Sequence, residues 1–215
     1  MDAAALKDRH RAVREGQPEA TAIRIHRAIS WLARAEREAD DADARFIFLW
    51  IALNAAYASE FGFERTERDQ TRTFLAQVLA GDTQRQLHAV VFRQFSGPIR
   101  TLVENRFVFE PFWRAMREHD GSGRWEQSFA ASRKLALQAL MEQKTDVVLS
   151  IVLDRLYVLR NQLVHGGATW NSVANRQQVH DGAAILMALV PVVLGIMIEA
   201  EGAEYGAVSF PYVQG

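Results

Sequence analysis

The spacing of the apolar residues is the feature that most constrains how this chain folds. Between its glycine and proline breakers, apolar side chains recur with a period of about 3.6 residues over stretches too long for strands. The 215 residues include only five prolines, so few points interrupt this pattern. The sequence therefore predicts an all-α fold. The predicted helices cover residues 20–39, 44–60, 66–80, 83–96, 98–118, 124–142, 145–165 and 176–201.

The expected domain organisation follows from polarity and from the breakers. Residues 1–18 are mostly polar and end at Gly16 and Pro18, which predicts an N-terminal arm. Residues 19–215 are then expected to form one helical domain. The charged N-terminus lacks the apolar segment of a secretory signal, so we expect a cytoplasmic protein.

Two stretches are more apolar than one face of a surface helix requires. Residues 46–58 are apolar almost all round, and residues 183–198 form a second apolar run that contains Pro191. A membrane-spanning helix needs about 20 apolar residues, so we expect the second run to be a core helix, with no membrane contact. Surplus apolar surface tends to become an interface, which favours a homodimer.

The charge balance and the lack of cysteine exclude several classes of function. The chain has 25 Lys and Arg against 26 Asp and Glu, a net charge of −1. This balance argues against a protein that binds nucleic acid through the positive charge of its whole surface. Binding through a local basic site remains possible. There is no Cys, which excludes thiolate nucleophiles and Cys-ligated metals. The histidines show no metal-ligand spacing, so no metal and no other cofactor is predicted.

Several polar residues stand out near the end of the penultimate predicted helix. Asp154, Asn161 and His165 are spaced i, i+7 and i+11, so they share one stripe of that helix. Tyr157 lies at the boundary of this stripe. Arg160 lies among apolar positions, where a buried guanidinium needs an anion or an acceptor. The apolar stripe consists of Leu149, Leu153, Leu156, Leu163 and Val164.

The two glycines after His165 predict that the helix ends there. The imidazole then lies at the negative end of the helix dipole, which favours its protonated form. A histidine that exchanges protons near neutral pH and an arginine that holds a phosphate are the minimum for metal-free RNA cleavage. The residues alone leave an ordinary alternative open, in which His165 caps the helix and Arg160 is a solvated charge.

The segment RNQLVH, residues 160–165, resembles the R-x4-6-H motif of the HEPN superfamily in its RN-xxx-H form. Its surroundings are similar too, because a long apolar helix leads into the motif and two glycines follow it. The apolar helix at residues 48–58 resembles the second element of Apea-like and abortive-infection-type HEPN domains. The resemblance covers about residues 20–200.

The resemblance implies a HEPN-like helical bundle with extra helices, which dimerises and faces two copies of the motif across one composite site. It implies a metal-independent endoribonuclease that acts on RNA as a toxin or abortive-infection effector, with an antitoxin or defence-system protein as a partner. His165 would be the general acid and base at the 2′-OH and the leaving 5′-oxygen, and Arg160 would bind the scissile phosphate. Asn161 would orient His165 or bind the phosphate. Some HEPN toxins carry a modifiable tyrosine where this chain has Gly167, so that form of regulation is not expected.

Four further residues are weaker candidates for supporting the site. Asn54 is polar within an apolar helix and needs a hydrogen-bond partner, so it either braces the motif or makes an ordinary buried bond. Tyr57 is expected in the core, and Tyr157 borders the motif. Asp154 either pairs with Arg155, faces the cleft or is solvated. Two other functions stay open, a non-catalytic HEPN module that binds nucleotide or RNA and a helical scaffold for assembly.

Overall fold

The computed structural model describes residues 1–58, 67–208 and 210–211. It is 76% helical, and no strand occurs in these described ranges, which confirms the all-α class. The described residues form ten α-helices, α1 (Ala3–Val13), α2 (Glu19–Ala35), α3 (Ala42–Tyr57), α4 (Glu67–Gly81), α5 (Gln86–Ala89), α6 (Ser96–Glu104), α7 (Glu110–Glu118), α8 (Arg124–Met141), α9 (Thr145–Val164) and α10 (Arg176–Glu199). Short 3₁₀ turns lie at Arg14–Gly16 and Arg106–Val108, and a π turn lies at Val90–Gln94.

The chain divides into two compact units. The first comprises Met1–Leu87 and Leu186–Gly215, and the second comprises His88–Ile185. The boundaries therefore fall within α5 and within α10. The division into a polar arm and one domain over residues 19–215 stays a prediction.

In the first unit, α2 and α3 pack closely against each other. Ile25 and Leu32 of α2 and Phe46 of α3 are fully buried. The Asp41 side chain accepts a hydrogen bond from the Ala44 N–H at 2.9 Å and so caps the start of α3. Apolar side chains lie on nearly every side of α3, which places this helix in the core of the unit.

Residues 1–18, expected to be a polar arm, contain α1, which packs against α2. The Asp2 side chain accepts a hydrogen bond from the Ala5 N–H at 2.8 Å, which starts the helix. Leu6 is fully buried. Glu36 accepts a hydrogen bond from the Ala3 N–H at 2.8 Å and ties the start of α1 to the end of α2. The polar residues of this segment thus lie mostly on the exposed face of α1.

In the second unit, α9 packs against α6, α8 and the short turns on either side of α6. Leu149, Leu153 and Leu156 of the predicted apolar stripe are buried. Val164 at the end of the stripe is 49% exposed. Apolar periodicity marks a face of a helix, but it does not show how far packing partners extend along that face.

The predicted helix 98–118 is two helices, α6 and α7, separated by a 3₁₀ turn. The Asn105 side chain accepts a hydrogen bond from the Phe107 N–H at 2.8 Å, which competes with continuation of the helix. Pro111 lies in the first turn of α7, where its missing N–H costs nothing, so a new helix begins there. The predicted helix 83–96 is likewise divided, into α5 and the π turn.

The helix α10 is long enough and apolar enough to cross a membrane. Among the described residues it is the one such helix, with a mean hydropathy of 2.3 over its most apolar window. Of that window, 72% is buried inside the structure, as in the core helix of a soluble protein. Pro191 lies within the helix. The burial agrees with the predicted core role, and the cytoplasmic location stays a prediction.

Candidate functional site

The end of α9 carries the motif, and its backbone turns sharply after His165. The His165 N–H donates to the Asn161 carbonyl at 3.0 Å and closes the last helical turn. Gly166 then has φ +70°, a left-handed conformation that costs residues with a Cβ about 1–2 kcal/mol. The Ala168 N–H donates back to the Gln162 carbonyl at 3.1 Å. The predicted helix stop is therefore confirmed, with His165 at the cap position.

Arg160 is half-buried, and its neighbours on the same helix hold its guanidinium. Its Nη1 donates to Oδ1 of Asn161 at 2.9 Å. Its guanidinium carbon lies 6.0 Å from the centre of the Tyr157 ring, within range of a cation–π interaction. Arginine carries five N–H donors, so this arrangement orients the head and leaves donors for an anion. The structure thus brings together three of the predicted residues.

His165 is exposed. Within the described ranges, no hydrogen bond or ion pair joins its imidazole to another residue. Arg160 and His165 of one chain are therefore not linked directly, and the imidazole is open to a substrate or to a second chain. The described residues also contain no group of three or more His, Asp or Glu arranged to hold a metal ion.

Gln162 lies inside the motif and anchors this end of α9, a role that the sequence analysis missed. Its Nε2 donates to the Phe107 carbonyl at 2.6 Å, and its Oε1 accepts from Nδ2 of Asn175 at 2.9 Å. The same Phe107 carbonyl accepts from Nε1 of Trp113 at 2.8 Å. These bonds fix the motif to the turn before α7 and to the segment that follows α9. The one signal in the sequence for this anchoring role of Gln162 is that a side-chain amide lies between two motif positions.

Asp154 is half-buried on α9, seven residues before Asn161, and it interacts with other groups in the structure. The next residue, Arg155, is only 2% exposed. Its guanidinium carbon lies 4.3 Å from the centre of the Phe109 ring, and its Nη2 donates to Oγ of Ser132 at 3.2 Å. Arg155 is thus a cation of the core that helps to hold α8 against α9.

The two candidates from the earlier apolar helix, Asn54 and Tyr57, lie on α3 in the first unit, whereas the motif lies in the second. Tyr57 is buried, and its ring centre lies 6.0 Å from that of Phe74, so its expected place in the core is confirmed. Asn54 is half-buried. Its role as a brace for the motif stays a prediction.

Large apolar side chains are exposed at the motif and just after it. Val164 is 49% exposed, Trp170 is 73% exposed and Val173 is 94% exposed. Single exposed apolar residues are common on protein surfaces. Three within one short segment next to the motif favour a surface that a second chain covers.

Comparisons of this chain with protein-family models, with curated proteins and with solved structures found no match. The HEPN resemblance therefore rests on the RN-xxx-H segment, on the apolar helix that leads into it and on the glycine stop. The geometry adds three facts to that pattern. Asn161 orients Arg160, His165 is accessible, and Gln162 anchors the helix end.

Proposed function

We propose that this chain is a HEPN-type endoribonuclease that cleaves RNA without a metal ion and leaves 2′,3′-cyclic phosphate and 5′-hydroxyl ends. The observation that carries the proposal is the end of α9, where an oriented Arg160 and an exposed His165 occupy the two defining positions of the motif. The HEPN-like arrangement of the helices is part of the proposal. So is a role in bacterial defence as a toxin or abortive-infection effector, which rests on the sequence resemblance.

The chemistry needs a base, an acid and a cation. His165 accepts the proton of the ribose 2′-OH, whose oxygen attacks the adjacent phosphorus while the bond to the 5′-oxygen breaks. An imidazolium donates a proton to that leaving oxygen. Arg160 binds the non-bridging phosphate oxygens with its planar fork and stabilises the charge that develops on them. Asn161 holds the guanidinium in place through the 2.9 Å hydrogen bond.

A second copy of the chain supplies the remaining half of the site in this proposal. Each chain offers one motif histidine, while the reaction uses a base at the 2′-OH and an acid at the 5′-oxygen. The exposed Trp170 and Val173 beside the motif support an interface there. A homodimer that brings two motifs together would provide both proton carriers.

The test is cleavage of a mixed-sequence RNA by purified protein in EDTA. The wild type is compared with His165→Ala and Arg160→Lys, and with the matched controls His180→Ala and Arg124→Lys. Both control residues are exposed in the second unit and lie outside the motif. We expect the two motif variants to lose about 10²–10³-fold in rate, since each removes a group that acts in the transition state. The controls should cleave at the wild-type rate.

The variants also separate the alternatives. Activity that EDTA abolishes and magnesium restores would overturn the assignment of His165 as acid and base. RNA binding without cleavage, weakened by Arg160→Lys, would favour the non-catalytic module. Cleavage by Arg160→Lys at the wild-type rate with an unchanged circular dichroism spectrum would show that the guanidinium is structural.

A further inference from the structure

A groove between α1 and α2 in the first unit plays no part in the proposed function. The two helices are antiparallel, since the start of α1 is bonded to Glu36 just beyond the end of α2. The cavity between them has a volume of about 880 Å³. Its α1 wall runs from Ala3 to Arg14, about 16 Å at about 1.5 Å per residue. Small-molecule sites have volumes of about 300–1,000 Å³, so the groove has the size of such a site.

The lining of this groove is strongly basic, although the chain has a net charge of −1. Its cations are Lys7, Arg11, Arg14, Arg34 and Arg37. Two of them are ion-paired with carboxylates nearby in the chain. Lys7, Arg14 and Arg37 form no ion pair with any described residue. Glu36 is the one carboxylate among the described lining residues, and its Oε1 accepts the hydrogen bond from Ala3.

His10 gives the groove a buried polar atom. The residue is only 5% exposed, and its Nε2 has no hydrogen-bond partner in the part of the chain that the structure describes. A second cavity, of about 490 Å³, shares His10, Arg14 and His26 with the first, and its other charged lining residues are Glu15, Glu19 and Arg27. Burial lowers the pKa of His10, and the positive charges of His26 and Arg14 lower it further. The nearby Gln17 side chain raises this pKa. An anion at this junction would offset the repulsion and give the buried nitrogen a partner.

We propose that the groove between α1 and α2 binds a small organic molecule with more than one phosphate group, and that one phosphate lies at His10, Arg14 and His26. The unpaired Lys7 and Arg37 further along the groove provide positions for another phosphate. This site is separate from the RN-xxx-H motif, and the inference does not depend on the proposed function.

The dimensions and the lining favour a small organic phosphate over a polynucleotide. The buried Ile29 and the half-buried Ala33 give the groove an apolar wall, which suits the organic part of a ligand. Binding of a polynucleotide relies on many phosphate contacts along an extended basic track. The charges described here are confined to about three turns of two helices.

Isothermal titration calorimetry of the full chain tests the inference with tripolyphosphate, ATP, adenosine and an RNA oligonucleotide as probes. Arg14→Gln removes an exposed cation and should leave the fold intact, and the matched control Arg124→Gln removes an exposed arginine of the second unit. We expect tripolyphosphate and ATP to bind the wild type and the control equally. Arg14→Gln should bind both about tenfold more weakly or worse, since a charged hydrogen bond is lost. Adenosine should not bind.

A second measurement locates the phosphate. Nuclear magnetic resonance titration of the His10 imidazole should show a higher pKa in the presence of tripolyphosphate, because the anion favours the charged ring. Binding that Arg14→Gln and Arg124→Gln weaken equally would overturn the proposal, as would no change at His10. Binding of an RNA oligonucleotide but not of ATP or tripolyphosphate would assign the groove to nucleic acid instead. ATP binding without tripolyphosphate binding would show that the base, and not the phosphates, carries recognition.

Discussion

Replacement of Arg24 by methionine should destabilise the first unit more than any loss of surface charge. Arg24 lies on α2 and is only 1% exposed. Its Nη1 donates to the Ala58 carbonyl, and its Nη2 donates to the carbonyls of Gly206 at 3.2 Å and Ala207 at 2.7 Å. One guanidinium thus joins the end of α3 to the segment that follows α10.

The expected loss follows from the contacts that methionine cannot make. Hydrogen bonds from a charged donor contribute about 1.5–3 kcal/mol each, and Arg24 donates such bonds to the carbonyls of Ala58, Gly206 and Ala207. Two terms reduce that sum. The exposed Gly206 and Ala207 regain water when the guanidinium is removed, and the cost of burying the charge disappears. That cost is visible in Arg24 itself, since burial, and after it the charge of Arg27, lowers its pKa. We expect a net loss of about 3 kcal/mol.

Thermal unfolding followed by circular dichroism measures this loss. For a chain of this size, about 3 kcal/mol corresponds to a decrease in Tm of about 6–12 °C. The matched control is Arg27→Met, one turn further along α2. Among the described residues, this half-buried side chain makes one hydrogen bond, to the Phe210 carbonyl at 2.6 Å. Arg27→Met should lower the free energy of unfolding by at most about 1 kcal/mol. Equal Tm values for the two variants would refute the argument that the Arg24 contacts hold the C-terminal segment in place. Limited proteolysis should cleave that segment faster in Arg24→Met than in the control.

Two further predictions concern the end of α9. Gly166→Ala should reduce the free energy of unfolding by about 1 kcal/mol because Gly166 has φ +70°. Gly166→Asn should reduce it less, since asparagine tolerates this conformation. Thermal unfolding of both variants checks this prediction, and an alanine variant with the wild-type Tm would contradict it. Light scattering should show a dimer of the 24.3 kDa chain, which Trp170→Ser and Val173→Asp shift toward monomer because both side chains are exposed beside the motif. A monomeric wild type at micromolar concentration would contradict the composite site.

The sequence alone determined the fold class and the limits of the helix that carries the motif. The helix predicted over residues 145–165 is α9, Thr145–Val164, and the glycine stop ends it as expected. Both signals are local, because a period of about 3.6 residues and a left-handed glycine need no distant partner. The position of His165 at the end of the helix follows from the same local signals, whereas its exposure to solvent was decided by the tertiary structure.

Packing decided what the local pattern left open. Residues 1–18 are polar on average, yet α1 packs against α2 through a few apolar side chains, Leu6 among them. The sequence of residues 1–18 alone does not show that α2 lies there to bury them. Arg155 and Arg160 are the same residue type, five positions apart on one helix. Arg155 is buried over Phe109, which comes from another element, whereas Arg160 stays half-buried beside Asn161. Burial depends on which distant side chains arrive at each face, and the periodicity of one segment carries no information about them.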